Sequence, residues 1–225
     1  MKYIDNVNIT KLHSEKKTTI FAPEWLYIFA NSFVKNVDFK KLEKFLLKKE
    51  KQIMKLPNTI IEGRVSDGNT GLGKNSTTAR FDQYNILSWN NGEIKKLKQS
   101  IIEMHDKFLE QLNISKPNEL FTQCWVNIMR KGEQIKPHIH SVLPDCYLGG
   151  HICVKCEDTS TYYINSINQI SQPETYAVKN EVGKITLFQN YIPHYTDIHN
   201  GNEERITIAF DLVLRKKFKN YIQLY

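Results

Sequence analysis

Residues 183–212 read GKITLFQNYIPHYTDIHNGNEERITIAFDL. Gly183–Phe188 has the apolar, β-branched character of a buried strand, and Arg205–Leu214 opens a second such run. Asn, Gly and Pro punctuate the connection between them and carry His194 just behind Pro193. An arginine at a strand start, turned inward among apolar neighbours, needs an anion, and its planar fork suits a carboxylate. Thr207, two residues on, faces the same side and can add a hydroxyl donor. The competing reading of Arg205 is a surface ion pair with Glu203 or Glu204.

Further short β-prone runs, at Phe121–Met129, Tyr147–Lys155, Thr161–Ile164 and Thr175–Val178, precede these two. Turns about every ten residues suggest a sandwich or barrel. Before Pro117 the pattern is helical. Asp38 is placed to cap a helix whose apolar positions are Phe39, Leu42, Phe45, Leu46, Ile53 and Leu56. A second helix opens after Asn91 and runs to about Asn113, with Ile94, Leu97, Ile101, Met104, Phe108 and Leu112 on one face. Helices first and strands later disfavour a parallel βαβ sheet. The expected fold is α+β, a double-stranded β-helix (jelly-roll) core with N-terminal helices packed on its outer face. We read residues 1–225 as a single domain: 1–117 helical and loop, 118–215 core, 216–225 a tail.

The 31 basic residues exceed the 24 acidic ones by seven, and only five of the 31 are arginines. Much of the lysine excess lies on the two helices, where a solvated face explains it; an acidic or nucleic-acid partner is permitted but not demanded. No long apolar run predicts a membrane span, and the charged start predicts no signal peptide. The expected compartment is the cytoplasm, with Cys124, Cys146, Cys153 and Cys156 reduced. Oligomeric state is left open.

His138 and His140 stand in KPHIHS. On extended chain, residues i and i+2 point to one side, so the pair can present two imidazoles to one ion. His194 could bring a third from an antiparallel neighbour, leaving open positions for substrate and oxygen. The competing reading places both in a surface loop.

Three stretches carry a resemblance. Residues 123–140 (QCWVNIMRKGEQIKPHIH) resemble the strand leading to the metal-binding motif of the Fe(II)/2-oxoglutarate-dependent oxygenases, nearest their prolyl-hydroxylase-like branch. The 183–212 stretch is similar to the second half of that core, and Leu148–Lys155 (LGGHICVK) resembles a subgroup of uncharacterised oxygenases of bacteria and bacteriophages. The resemblance implies Fe(II) as metal, 2-oxoglutarate as cosubstrate and O2 as oxidant. It implies His138 and His194 as iron ligands and Arg205 with Thr207 as the grip on the far carboxylate, with Trp125 and Asn127 lining that pocket. His140 departs from the pattern by standing where a carboxylate belongs, although the subgroup also carries H-x-H. Three neutral imidazoles raise the site's charge by one; Asp145 or Asp197 are the candidates to restore it. The implied activity is hydroxylation of an unidentified substrate (protein, peptide or small molecule), a protein side chain among them. A related iron dioxygenase using three histidines without a 2-oxo acid, and a metal-free binding module, are alternatives.

Two motifs point elsewhere. Gly68–Lys74 nearly matches a phosphate-binding P-loop, with Asn75 where the hydroxyl belongs; a nucleotide-binding protein is thus a third alternative. The loop is otherwise expected to cover the active-site mouth, with Asn75, Thr77 and Arg80 against substrate. Cys153 and Cys156 have C-x-x-C spacing, but on one strand they would face opposite ways. His13, His105, His151 and His199 are read as non-ligands.

Overall fold

The computed structural model describes residues 2–13, 26–141, 146–164, 175–216 and 219–225. In chain order come β1 (Asn8–His13), β2 (Leu26–Phe33), α1 (Phe39–Ile53), β3 (Ile60–Ile61), β4 (Arg64–Val65), α2 (Gly92–Leu112) and β5 (Phe121–Met129). There follow β6 (Cys146–Lys155), β7 (Ser160–Ile164), β8 (Thr175–Lys179), β9 (Lys184–Gln189), β10 (His194–Thr196), β11 (Arg205–Val213) and β12 (Ile222–Gln223). Seven strands form one antiparallel sheet in the order β1-β2-β9-β6-β11-β5-β12, and β10-β7-β8 form a smaller sheet. This is the antiparallel α+β jelly roll expected from the strand spacing.

Both helices start where the sequence places caps. The Asp38 carboxylate accepts from the Lys41 N–H at 3.0 Å, and Asn91 accepts from the N–H groups of Glu93 and Ile94. Such caps contribute about 1 kcal/mol each. Asn113 ends α2 in the left-handed conformation, φ 55°, which Asn tolerates better than most residues. Leu42 and Leu46 of α1 and Ile94, Leu97, Ile101 and Met104 of α2 join one core with Ile206, Ile208, Phe210 and Leu212 of β11.

Period-two alternation sorts β11 between two environments. Its even positions pack into that helix-backed core, while Arg205, Thr207 and Ala209 line a chamber on the other face. Pairing of β11 with β5 and β6 sets Thr207 opposite Asn127 and Cys153, and Ala209 opposite Trp125 and His151. Gly150 is required on the core side: a Cβ there would lie 2.3 Å from the Phe210 ring.

The structure adds elements that the sequence reading did not foresee. β2 pairs with β9 and β1 with β2, so the N-terminal part extends the large sheet as well as supplying helices. The C-terminal tail is not loose either, since β12 pairs with β5. β1 and β12 are edge strands and all three have mixed polarity, so their pairing comes from neighbours rather than from their own pattern. Among the described residues no helix is long and apolar enough to cross a membrane.

Candidate metal centre

After β5 the chain turns at Gly132, φ 86°, and returns along the edge of β10. His138 and His194 exchange backbone hydrogen bonds at 3.1 and 3.0 Å, and the His140 N–H donates to the Asn190 carbonyl at 3.1 Å. This bridge sets His138 directly opposite His194. The glycine loop is tied to the same segment: the Lys136 N–H donates to the Thr70 carbonyl at 2.7 Å. At Gly71, φ 76°, a Cβ would lie 2.5 Å from the Lys136 side chain, so only glycine lets the two segments lie this close. Gly149 does the same beneath His140, where a Cβ would be 2.9 Å from Nδ1.

The structure brings His138, His140 and His194 together, with one potential ligand atom from each within 4.8 Å of the others. Each Nδ1 is already engaged. His138 Nδ1–H donates to the Lys136 carbonyl at 2.8 Å, His194 Nδ1–H to the Ile192 carbonyl at 3.1 Å, and His140 Nδ1–H to the Asp211 carboxylate at 2.6 Å. A carbonyl or ionised carboxylate only accepts, so the proton resides on Nδ1 and the Nε2 lone pair is left for an ion. Burial, then the neighbouring imidazole of His140, lowers the pKa of His138 to about 4. Burial and both neighbours hold His194 well below the usual histidine range. His138 and His194 are therefore neutral imidazoles at neutral pH, as a metal ion needs, and a set of three imidazoles is a donor set that fits ferrous iron.

The same chamber contains Arg205, Thr207, Asn127, Trp125, His151 and Phe188. Arg205 is 2% exposed, its Nε has no partner, and among the described residues its side chain makes one hydrogen bond, from Nη1 to the Met129 sulfur at 3.8 Å. The anticipated alternative partners are taken, since Glu203 and Glu204 pair with Lys155. A buried guanidinium without an anion is costly, and burial lowers its pKa. Trp125 Nε1 is likewise buried without a partner. Asn127 is fixed by Thr78, whose hydroxyl donates to its Oδ1 at 2.7 Å. The arrangement thus offers metal-ready nitrogens at one end and an unmatched cation at the other.

The free space is small, about 40 Å3 around the histidines and arginine. An adjoining chamber of about 60 Å3 is lined by Gly68, Thr70, Thr78, Phe81, Trp125, Ile139 and Asp211. Both share Thr70 and Trp125, so the glycine loop does overhang the mouth. The three loop residues expected to meet substrate behave otherwise. Thr77 donates to the Val126 carbonyl and Arg80 to the carbonyls of Leu56, Lys74 and Ser76, so both hold the loop's shape, while Asn75 is exposed. Thr70 and Thr78 face the chambers instead.

Of the carboxylates considered for the metal, Asp197 accepts from the Ser160 N–H at 2.6 Å and is not in the cluster; Asp145 lies outside the described residues. The P-loop likeness lacks its frame: a two-residue strand precedes it and a single 3-10 turn, Thr78–Arg80, follows where a helix N-terminus must meet phosphate. The C-x-x-C geometry also differs from expectation. β6 ends at Lys155, the chain turns, and Cys156 comes back to hydrogen-bond Cys153, which lowers the Cys156 pKa to about 7. His151, read as a non-ligand, is not in the histidine cluster but lines the chamber, and its even spacing from Gly149 and Cys153 is the sequence signal for that face.

Residues 123–211 match the family described as "Putative 2OG-Fe(II) oxygenase". A search of curated proteins finds no match. Among solved structures, the epimerase SnoN in complex with Fe3+, alpha-ketoglutarate and nogalamycin RO is similar with TM-score 0.54 at 8% identity, covering 88% of this chain and 94% of that one. AviO1 from Streptomyces viridochromogenes Tue57 gives TM-score 0.52 at 11% identity, covering 82% and 89%. A Pseudomonas putida prolyl-4-hydroxylase gives 0.45 at 10% identity, covering 57% and 69%. The first two likenesses show a shared fold. The family match runs from the strand before the histidine cluster into β11, so residues 123–211 are the part of the chain that resembles the 2OG-Fe(II) oxygenases.

Proposed function

We propose that this chain is an Fe(II)- and 2-oxoglutarate-dependent dioxygenase that hydroxylates its substrate. The observation carrying the proposal is Arg205: a buried guanidinium with no anion at ion-pair distance among the described residues, in one chamber with His138, His140 and His194. The family uses Fe(II) and 2-oxoglutarate; when bound, they supply the oxidising power to functionalise a C–H bond with O2. His138, His140 and His194 would hold the metal through Nε2. Arg205 would take the far carboxylate of the cosubstrate, with Thr207 donating beside it. Trp125 Nε1 and the Asn127 amide are positioned to orient its chain, and Phe188 helps keep water out. The chamber is smaller than the dicarboxylate, so binding requires its walls to move apart; the Thr70 loop, held to Lys136 by one backbone bond, is the wall we assign to give way.

As the group oxidised we take a protein or peptide side chain, which would enter past Thr70 and Ile139 on the lining of the outer chamber.

A second reading, a three-histidine dioxygenase that needs no 2-oxo acid, is favoured by one observation: no carboxylate joins the cluster among the described residues. One experiment separates the two. Ferrous iron plus 2-oxoglutarate, without oxygen, should give a visible charge-transfer band that is weakened in Arg205→Ala. Iron binding and oxygen consumption indifferent to 2-oxoglutarate would support the second reading instead.

A further inference from the structure

We propose that Asp211 is the carboxylate of this metal site, acting one layer behind the metal through His140. The inference rests on the metal-site reading above and concerns a residue that the sequence reading noted only as the aspartate ending Ile206–Asp211, a run that imitates a nucleotide-binding motif. Its Oδ1 accepts the His140 Nδ1–H at 2.6 Å, and the two side chains are 16% and 6% exposed. The contact is therefore largely shielded from water, where a charged hydrogen bond is short and strong.

Asp211 comes from the strand that carries Arg205. Spacings of two keep Arg205, Thr207, Ala209 and Asp211 on one face of β11. One rigid strand thus delivers both the carboxylate-binding cation and the anion behind the metal. Gly149, opposite Asp211 in the ladder, leaves the room in which the His140 ring lies against that carboxylate. The three imidazoles differ in this respect: His138 and His194 rest on neutral backbone carbonyls, and only His140 rests on a charge.

Two consequences follow. Hydrogen bonding to an acceptor-only carboxylate fixes the Nδ1–H form of His140, so Nε2 faces the ion with its lone pair. The negative charge also strengthens that nitrogen as a donor to a metal ion. The H-x-H spacing replaces a ligating carboxylate by an imidazole and raises the site's charge by one. Asp211 returns that unit of charge at hydrogen-bond distance, so metal, three imidazoles and this carboxylate together carry the charge of a two-histidine, one-carboxylate centre.

The test is cobalt(II) affinity of the full chain, without cosubstrate, by competition with a chelator, for wild type, Asp211→Asn, His140→Ala and the double variant. Asp211→Asn is isosteric and removes only the charge and the one-way acceptor. We expect about 10–100-fold weaker cobalt binding in Asp211→Asn and an altered cobalt absorption spectrum, with metal-free melting close to wild type. Because Asp211 acts through His140, the double variant should lose little beyond His140→Ala alone. Should Asp211→Asn bind cobalt as wild type does, or should the two losses add, the assignment is overturned while the iron and 2-oxoglutarate reading stands. A wild-type chain that takes up no cobalt overturns both. A chain that binds cobalt through Asp211 but shows no 2-oxoglutarate band keeps this inference and loses the cosubstrate.

Discussion

Replacing Arg205 by Met separates what is good for the fold from what is good for the site. Arg205 is 2% exposed and has a thioether as its one hydrogen-bond partner. Uncompensated buried charge costs several kcal/mol, and a well-packed apolar residue of similar volume often recovers about 1–4 kcal/mol. For a chain of 225 residues, 1 kcal/mol moves Tm by about 2–4 °C. Arg205→Met without ligand should therefore melt above wild type by roughly 2–16 °C. With cobalt(II) in place of iron and 2-oxoglutarate at about 100 times its Kd, wild type gains about 2.7 kcal/mol and the variant gains nothing from the 2-oxo acid. The order of the two melting curves should close or reverse. Scanning fluorimetry across a 2-oxoglutarate series, at fixed cobalt, measures both arms. A variant that melts below wild type without ligand, and is stabilised equally by 2-oxoglutarate, refutes the view of Arg205 as a charge held in readiness for an anion.

Two further outcomes follow from packing and from protons. Gly149→Ala puts a Cβ 2.9 Å from both His140 Nδ1 and Asn190 Oδ1, against ordinary contacts beyond 3.4 Å. The ring must yield by about half an ångström, costing about 1–3 kcal/mol; cobalt titration should show about tenfold weaker binding, and unchanged affinity would show that His140 is not held by this contact. Buried histidines set the acid limit of the metal-free fold. His105, lodged between the hydroxyls of Tyr147 and Tyr225, has a pKa near 4, and His151 near 3, burial being the main cause in each. Folded pKa values below the unfolded value near 6.5 mean that the unfolded chain takes up more protons, so stability is full above pH 6.5 and falls as pH drops towards 4 and 3. Urea unfolding at pH 5 should show roughly 2 kcal/mol less stability per such histidine than at pH 7, with a shallower slope in His105→Gln; equal stability at the two pH values would contradict this.

Much of the architecture was legible because it depends on local pattern. The caps at Asp38 and Asn91, the apolar helical faces and six of the core strands are each specified by nearby residues. The convergence of His138 and His140 was legible too, because period two on extended chain is a local rule. β1, β2 and β12 were not: β1 and β12 are edge strands, and β2, paired on both sides, joins the sheet through β9, more than 150 residues along the chain.

The site divides along the same line. Sequence alone determined which residue types could serve: two histidines at a spacing of two, a third after Pro193, an arginine and a threonine heading an apolar strand. Tertiary structure decided their circumstances. Burial leaves the Arg205 Nε without a partner, sheet register brings Asp211 behind His140, and the inward turn of Arg80 and Thr77 engages both with backbone carbonyls. Those outcomes depend on which strand lies beside which and on how much water is excluded, quantities set by contacts among residues many positions apart.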